Sequence, residues 1–215
     1  MLDDPVEILR QVDDRDLFPN VSSIVVTGHS AGGQVTNRYA MSNVVHDEIG
    51  IPVSYVVSNP SSYAWPTADR PTAAAYALEA SAPGFSLEVD YDGRAFRPGG
   101  SGRGCTAYNQ WAYGFENRTG YTAAFSDEQL REQLASRPTT YLMSQVDILP
   151  LSGFDSGCSA MMQGPTRLAR GMAYHRYVNE RLGGAHELVV VTGCAHNNRC
   201  VYTDDAGIAV LFPGN

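Results

Sequence analysis

The stretch Ser23-Ile24-Val25-Val26-Thr27-Gly28-His29-Ser30-Ala31-Gly32-Gly33 decides how the rest of the chain is read. Its first half is short, continuously apolar and β-branched, the pattern of a strand buried on both faces in a parallel sheet. Gly28 ends that run. From Ala31 to about Val45, apolar positions recur at Val35, Tyr39 and Val44 at near-helical spacing, so the strand passes directly into a helix. The bend between them reads G-x-S-x-G. A sharp strand-to-helix turn that exposes the Ser30 hydroxyl needs small residues two positions to either side, because strand and helix approach closely there, and Gly28 and Gly32 supply them. The backbone N–H of Ala31, at the helix N-terminus, then faces the place where negative charge would develop beside Ser30. A glycine-rich bend also serves as a packing device; the strand before it and the helix after it favour an exposed nucleophile.

Working outward, Pro5 to Phe18 carries apolar residues at Val6, Leu9 and Val12 behind acidic residues near its start, which predicts a helix. Further buried strands are expected at Val53 to Ser58, Thr139 to Gln145 and Glu187 to Thr192. Ser126-Asp127-Glu128-Gln129 is a capping box ahead of Leu130 and Leu134. A long helical pattern opens near Pro165 and closes at Gly183-Gly184, with Leu168, Met172, Tyr177 and Leu182 as its buried stripe. A short final helix starts behind Thr203 at Asp204 and Asp205. Strands alternating with helices give an α/β class: a mainly parallel sheet with flanking helices, wound by right-handed crossovers. The exception is 60–125, rich in Tyr, Trp, Pro and Gly and nearly without periodicity, a loop-rich insertion after the second strand within a single domain spanning 1–215.

Composition excludes several classes. Fifteen Lys and Arg against twenty-three Asp and Glu leave the 215-residue chain at a formal charge of −8 with no basic run, so no nucleic-acid partner is expected. No apolar stretch approaches the ~20 residues of a membrane span. Met1-Leu2-Asp3-Asp4-Pro5 has neither the basic nor the apolar segment of a secretory signal, so export is not encoded at this end. None of Cys105, Cys158, Cys194 and Cys200 lies in a C-x-x-C pair, which argues against a metal site and leaves disulfides and buried thiols both open.

A serine hydroxyl is inert at neutral pH without a base, and the base needs an acid to fix its tautomer. Of the five histidines, only His196 follows a predicted strand, in the loop Cys194-Ala195-His196-Asn197-Asn198. For the acid, Asp147 stands at the end of the strand Tyr141-Leu142-Met143-Ser144-Gln145, upstream of His196. Asp155 is its main competitor, with a solvated loop carboxylate as the plain alternative. Ser58-Asn59-Pro60 ends the second strand without a carboxylate. Tyr63, close to a strand end, is a candidate pocket residue among the aromatics Trp65, Tyr108, Trp111, Tyr113 and Phe115, most of which read better as a satellite core.

The whole chain resembles the C-terminal part of an α/β-hydrolase, and more closely members with a G-H-S-A-G-G elbow and a late Gly-Cys-x-His loop, through Gly28 to Gly33, Asp147-Ile148-Leu149-Pro150 and Gly193 to Cys200. The resemblance implies Ser30 as nucleophile, His196 as base, Asp147 as the acid, the Ala31 amide as an oxyanion donor, and hydrolysis of carboxylic esters without metal or organic cofactor. Short acyl chains are expected, since nothing resembles a long apolar tunnel. It also implies pairing of Cys194 with Cys200 around His196, and of Cys105 with Cys158, which would favour a secreted or periplasmic origin. One departure stands out. Hydrolases of this type place about four strands before the elbow, where this chain has 29 residues before Ser30. Those strands ordinarily carry the second oxyanion donor, whose loss costs ~100-fold to ~1,000-fold in rate. They also cover the strand edge at Ile24 to Thr27, so a homo-oligomer covering that edge is expected. The competing reading is a hydrolase-like binding or assembly domain without turnover.

Overall fold

The computed structural model describes residues 5–72, 96–98, 104–151 and 153–213. Its strands are β1 (Ile24–His29), β2 (Val53–Ser58), β3 (Asp69–Pro71), β4 (Phe96–Pro98), β5 (Thr139–Ser144) and β6 (Glu187–Val191). Four of them form one parallel sheet in the order β1-β2-β5-β6, while β3 and β4 make a small antiparallel pair. The register aligns Ile24 with Val53 and His29 with Ser58, so β1 and β2 end level. With β5 and β6 running the same way, the loops after all four strands gather along one edge of the sheet. Among the described residues β1 pairs only with β2 and β6 only with β5, so these two are the sheet's outer strands.

Helices α1 (Pro5–Val12), α2 (Ala31–Ser42), α3 (Asp127–Ser136), α4 (Cys158–Met161), α5 (Arg167–Leu182), α6 (Asn198–Thr203) and α7 (Asp205–Leu211) accompany the sheet. α1 stops short of the expected Phe18, because the Asp14 carboxylate accepts from the N–H of Asp16 and holds a turn that competes with helix. α2 stops short of Val45 for a similar reason: Asn43 turns extended, donates to Tyr39 O and accepts from His46 N. The buried stripe of α2 also differs from the expected one. Val35 and Val44 are exposed, and the inward face carries Gly33, Thr36, Asn37, Ala40 and Met41 around Tyr39. Small and polar residues lie there because a Cβ on Gly33 would press on the Ser58 carbonyl, and Asn37 accepts from the N–H of Ala64.

The capping box of α3 is formed in both directions, Gln129 N to Ser126 Oγ and Ser126 N to Gln129 Oε1. α5 is capped by Thr166 and ended by Gly183 in the left-handed conformation, at φ 72°. Leu168, Met172 and Tyr177 are buried as expected, and Leu182 is half-buried. The largest core cluster joins α5 and β5 to the segment after β2: Trp65, Phe96 and Phe115 pack with Tyr141, Tyr174 and Tyr177. Trp65 lies 5.3 Å from Tyr174 and 5.1 Å from Tyr177 between ring centroids. The aromatics of this segment are therefore mostly core. Tyr63 corrects the expectation of a pocket residue: it is fully buried, stacked on Tyr174 at 4.4 Å, with its hydroxyl directed at Met143 Sδ. Part of the insertion lies outside the described residues, including Gly99 to Gly102 of the glycine-rich run that follows β4.

Candidate active site

Ser30 sits between β1 and α2 with φ 58° and ψ −117°, a strained backbone for a residue with a Cβ. Neighbours hold it there. Ser30 N donates to Ser58 O at 2.9 Å, Gln34 N donates to Ser30 O at 3.1 Å, and a Cβ on Gly28 would collide with the Gly32 carbonyl. The result is a hydroxyl lifted clear of the sheet edge at the N-terminus of α2, beside the Ala31 amide.

The loops after β5 and β6 are stitched to each other past the ends of their strands. Gln145 N donates to Val191 O at 2.9 Å, and Val146 N donates to Cys194 O at 3.1 Å. Cys194 and Cys200 are joined by a disulfide across Cα atoms 5.8 Å apart, and the Asn197 side chain caps α6 at Cys200 N. His196 is thus carried on a short closed loop facing Asp147. The imidazole Nδ1 lies 2.7 Å from Asp147 Oδ2, and Nε2 lies 2.9 Å from Ser30 Oγ. An ionised carboxylate only accepts, so the neutral ring carries its proton on Nδ1, and Nε2 accepts from the Ser30 hydroxyl. Ser30, His196 and Asp147 form one hydrogen-bonded run, an arrangement able to draw a proton from the hydroxyl as it attacks a carbonyl. Asp155 stands apart from it and accepts from the Tyr113 hydroxyl at 2.7 Å.

Three further residues complete the neighbourhood, and none was singled out from sequence. Asn59, just past β2, takes φ 43°, which asparagine tolerates. Its carboxamide accepts from Ser144 N, donates to Ser144 Oγ at 2.7 Å and reaches His29 Nε2 at 3.3 Å. The ends of β1, β2 and β5 are tied together through this one side chain. The His29 ring lies 4.6 Å from that of His196, and burial, with the nearby His196, pushes its pKa down to about 4, so it stays neutral at neutral pH. Arg167, fully buried, donates to Asp147 Oδ1 at 3.1 Å. The available sequence signal was weak: an arginine in the first turn of a helix opposes the dipole and asks for a counter-charge.

Among the described residues no cluster of His, Cys, Asp and Glu is arranged to hold a metal ion, and no helix is long and apolar enough to cross a membrane. Cys105 and Cys158 form the second disulfide, Cα atoms 5.7 Å apart, tying the insertion to α4.

A parallel sheet with a serine at a strand-to-helix bend and, further along the chain, an aspartate and a histidine after its last two strands defines the α/β-hydrolase fold. The chain is similar to poly(aspartic acid) hydrolase-1 from Sphingomonas sp. KT-1, with 20% identity and a TM-score of 0.57 over 90% of this chain. It is similar also to LpqC, a poly(3-hydroxybutyrate) depolymerase from Bordetella parapertussis, with 20% identity and a TM-score of 0.56 over 97% of this chain. It spans 57% and 56% of the length of those two proteins. No family model matches the chain. No curated protein matches it.

Proposed function

We propose that the protein is a serine hydrolase that cleaves carboxylic esters, with a preference for short acyl chains. The observation that carries this reading is the unbroken run from Ser30 Oγ through His196 to Asp147. Ser30 attacks the ester carbonyl while His196 Nε2 takes its proton. Asp147 orients the ring and stabilises the imidazolium, and the Ala31 amide holds the oxyanion. His196 returns the proton to the leaving alkoxide, and water then cleaves the acyl-enzyme by the same route. The two disulfides fit an oxidising compartment. A second copy of the chain covers the outer edge of β1; a monodisperse monomer in solution scattering would remove that part.

The two structural neighbours are named for polymer substrates, which favours a second reading in which the acyl group belongs to a polyester or polyamide. Incubation with a fluorophosphonate followed by intact mass tests the chemistry. One adduct on wild type and none on Ser30→Ala is expected. No adduct on wild type supports an assembly domain instead, and an adduct on Ser30→Ala removes Ser30 from its role. Release of monomers from poly(3-hydroxybutyrate) or poly(aspartic acid), set against a series of p-nitrophenyl esters, separates the two substrate readings.

A further inference from the structure

We propose that Arg167 is a positioning residue for the proposed base: its guanidinium holds Oδ1 of Asp147 and balances its charge, so that Oδ2 alone is left to orient His196. This rests on the hydrolytic reading above and adds to it a residue outside the relay.

Contacts with several described residues fix the guanidinium. Nε donates to Ser61 Oγ at 2.8 Å, Nη1 to Asp147 Oδ1 at 3.1 Å and Nη2 to Leu151 O at 3.0 Å, and the Phe154 ring lies 5.3 Å away. These partners come from the loop after β2 and the loop after β5, so the arginine joins two loops to the first turn of α5. Both charges of the Asp147–Arg167 pair are buried, and a buried pair is retained only with good geometry and further hydrogen bonds, which Arg167 has. The carboxylate is divided between a standing cation and one that forms only when the ring takes a proton: one oxygen for the guanidinium, the other for the imidazole. A carboxylate held at one oxygen cannot rotate, so Nδ1 of His196 meets an acceptor in one place.

The division also sets the field at the ring. The titratable and charged groups facing His196 are Asp147 from the loop after β5, Arg167 from α5 and His29 from the end of β1; Tyr202 of α6 stands behind His29, with ring centroids 6.2 Å apart. His29 is neutral at working pH, so Asp147 and Arg167 are the two charges that count. They nearly cancel. Taking away the positive one leaves a bare carboxylate that favours the protonated ring and withholds the base to higher pH.

The variants Arg167→Gln and Arg167→Lys separate orientation from charge, using p-nitrophenyl acetate hydrolysis as a function of pH and the low-field NMR signal of the His196 Nδ1 proton, which needs no substrate. Arg167→Gln is expected to lower kcat by about 100-fold with KM changed less than about threefold. It should raise the acid-side midpoint of kcat/KM by about one pH unit. Arg167→Lys keeps the charge but not the planar fork, so the midpoint returns to the wild-type value while kcat recovers in part. An unmoved midpoint together with an unmoved Nδ1 proton signal in Arg167→Gln would overturn the proposal and leave a packing role. Should Arg167→Gln not fold, Ser61→Ala retains the charge and loosens the guanidinium. It is expected to lower kcat several-fold at constant midpoint, and an unchanged kcat counts against positioning. If wild type hydrolyses no ester yet its Nδ1 signal moves on substitution, the positioning stands and the hydrolytic reading falls.

Discussion

The parallel sheet and the loop-rich segment after β2 face the same requirement, partners for buried backbone groups, and meet it differently. Within the sheet, neighbouring strands take up each other's carbonyls and amides, from Ile24 opposite Val53 to Ser144 opposite Val191. In the segment after β2, arginine side chains take that role. Arg70, almost fully buried, donates to the carbonyls of Thr67, Asp69 and Tyr108, Arg38 to Ala112, Arg118 to Phe115 and Phe125, and Arg170 to Ser61. Gln163 does the same for both backbone groups of Tyr63. A ladder is made by backbone and tolerates many side chains, whereas an arginine-centred loop depends on single residues. Burial pushes the guanidinium pKa values of Arg38, Arg70 and Arg170 down to about 10, which still leaves them charged at neutral pH.

The largest effect should fall where the sheet ends and leave both regions folded. Ser30→Ala is expected to cost roughly 10⁴-fold or more in ester hydrolysis with its melting temperature kept, and Asp147→Asn a comparable factor, both read by steady-state kinetics beside thermal melts. The next experiment can break the comparison itself. Leu142→Ala in β5 should destabilise the protein by about 2–5 kcal/mol and raise hydrogen exchange throughout. Arg70→Met should cost about 3 kcal/mol and raise exchange first in 104–125, because it strands carbonyls there. Equal loss of protection in the sheet would show one cooperative unit where two are described.

Removing the disulfides sharpens the contrast further. The Cys105–Cys158 bridge closes a separation of 53 residues, and its double serine variant should lose about 4 kcal/mol. The Cys194–Cys200 bridge closes a separation of 6 and should lose about 2 kcal/mol, while lowering turnover more, because it carries His196. Urea melts and kinetics on the two variants check the order. The smallest effect is with pH, and it belongs to the sheet side. Burial pushes the pKa of His186, between Tyr141 OH and Leu134 O, down to about 4 from an ordinary 6.5. The unfolded chain therefore binds this proton first. The stability is whole above about pH 6.5 and is lost as pH falls toward 4, on the order of 1–2 kcal/mol at pH 5. Melting temperatures at pH 7 and pH 5 should show the drop, and His186→Gln should flatten it.

The strand-to-helix bend at Ser30 was legible because it is local: a β-branched run, two glycines and a helix pattern in one stretch. Asp147 and His196 were legible as the polar residues standing just past two other buried runs, and the structure brings both to Ser30. Helix ends at Val12 and Ser42 were not, since aspartate and asparagine side chains compete for the backbone there in a way that periodicity ignores. Tyr63 was misread because a tyrosine near a strand end looks alike whether it lines a cleft or stacks on Tyr174. Asn59 carried no pattern at all, His29 stood only as a spacer in the G-x-S-x-G bend, and Arg167 showed only as a cation in a helix's first turn. Each acts by reaching across strands or loops that are distant in the chain.

Sequence by itself determined the α/β class, the strand that bends into a helix at Ser30, and the chain order of hydroxyl, carboxylate and imidazole. These follow from burial pattern and backbone sterics, which act between neighbours in the chain. Tertiary structure decided which oxygen of Asp147 meets His196, which arginine neutralises it, and which aromatics are core. Those outcomes turn on hydrogen bonds and burial between residues about 20 to 170 positions apart, and such distances are set only when the sheet closes.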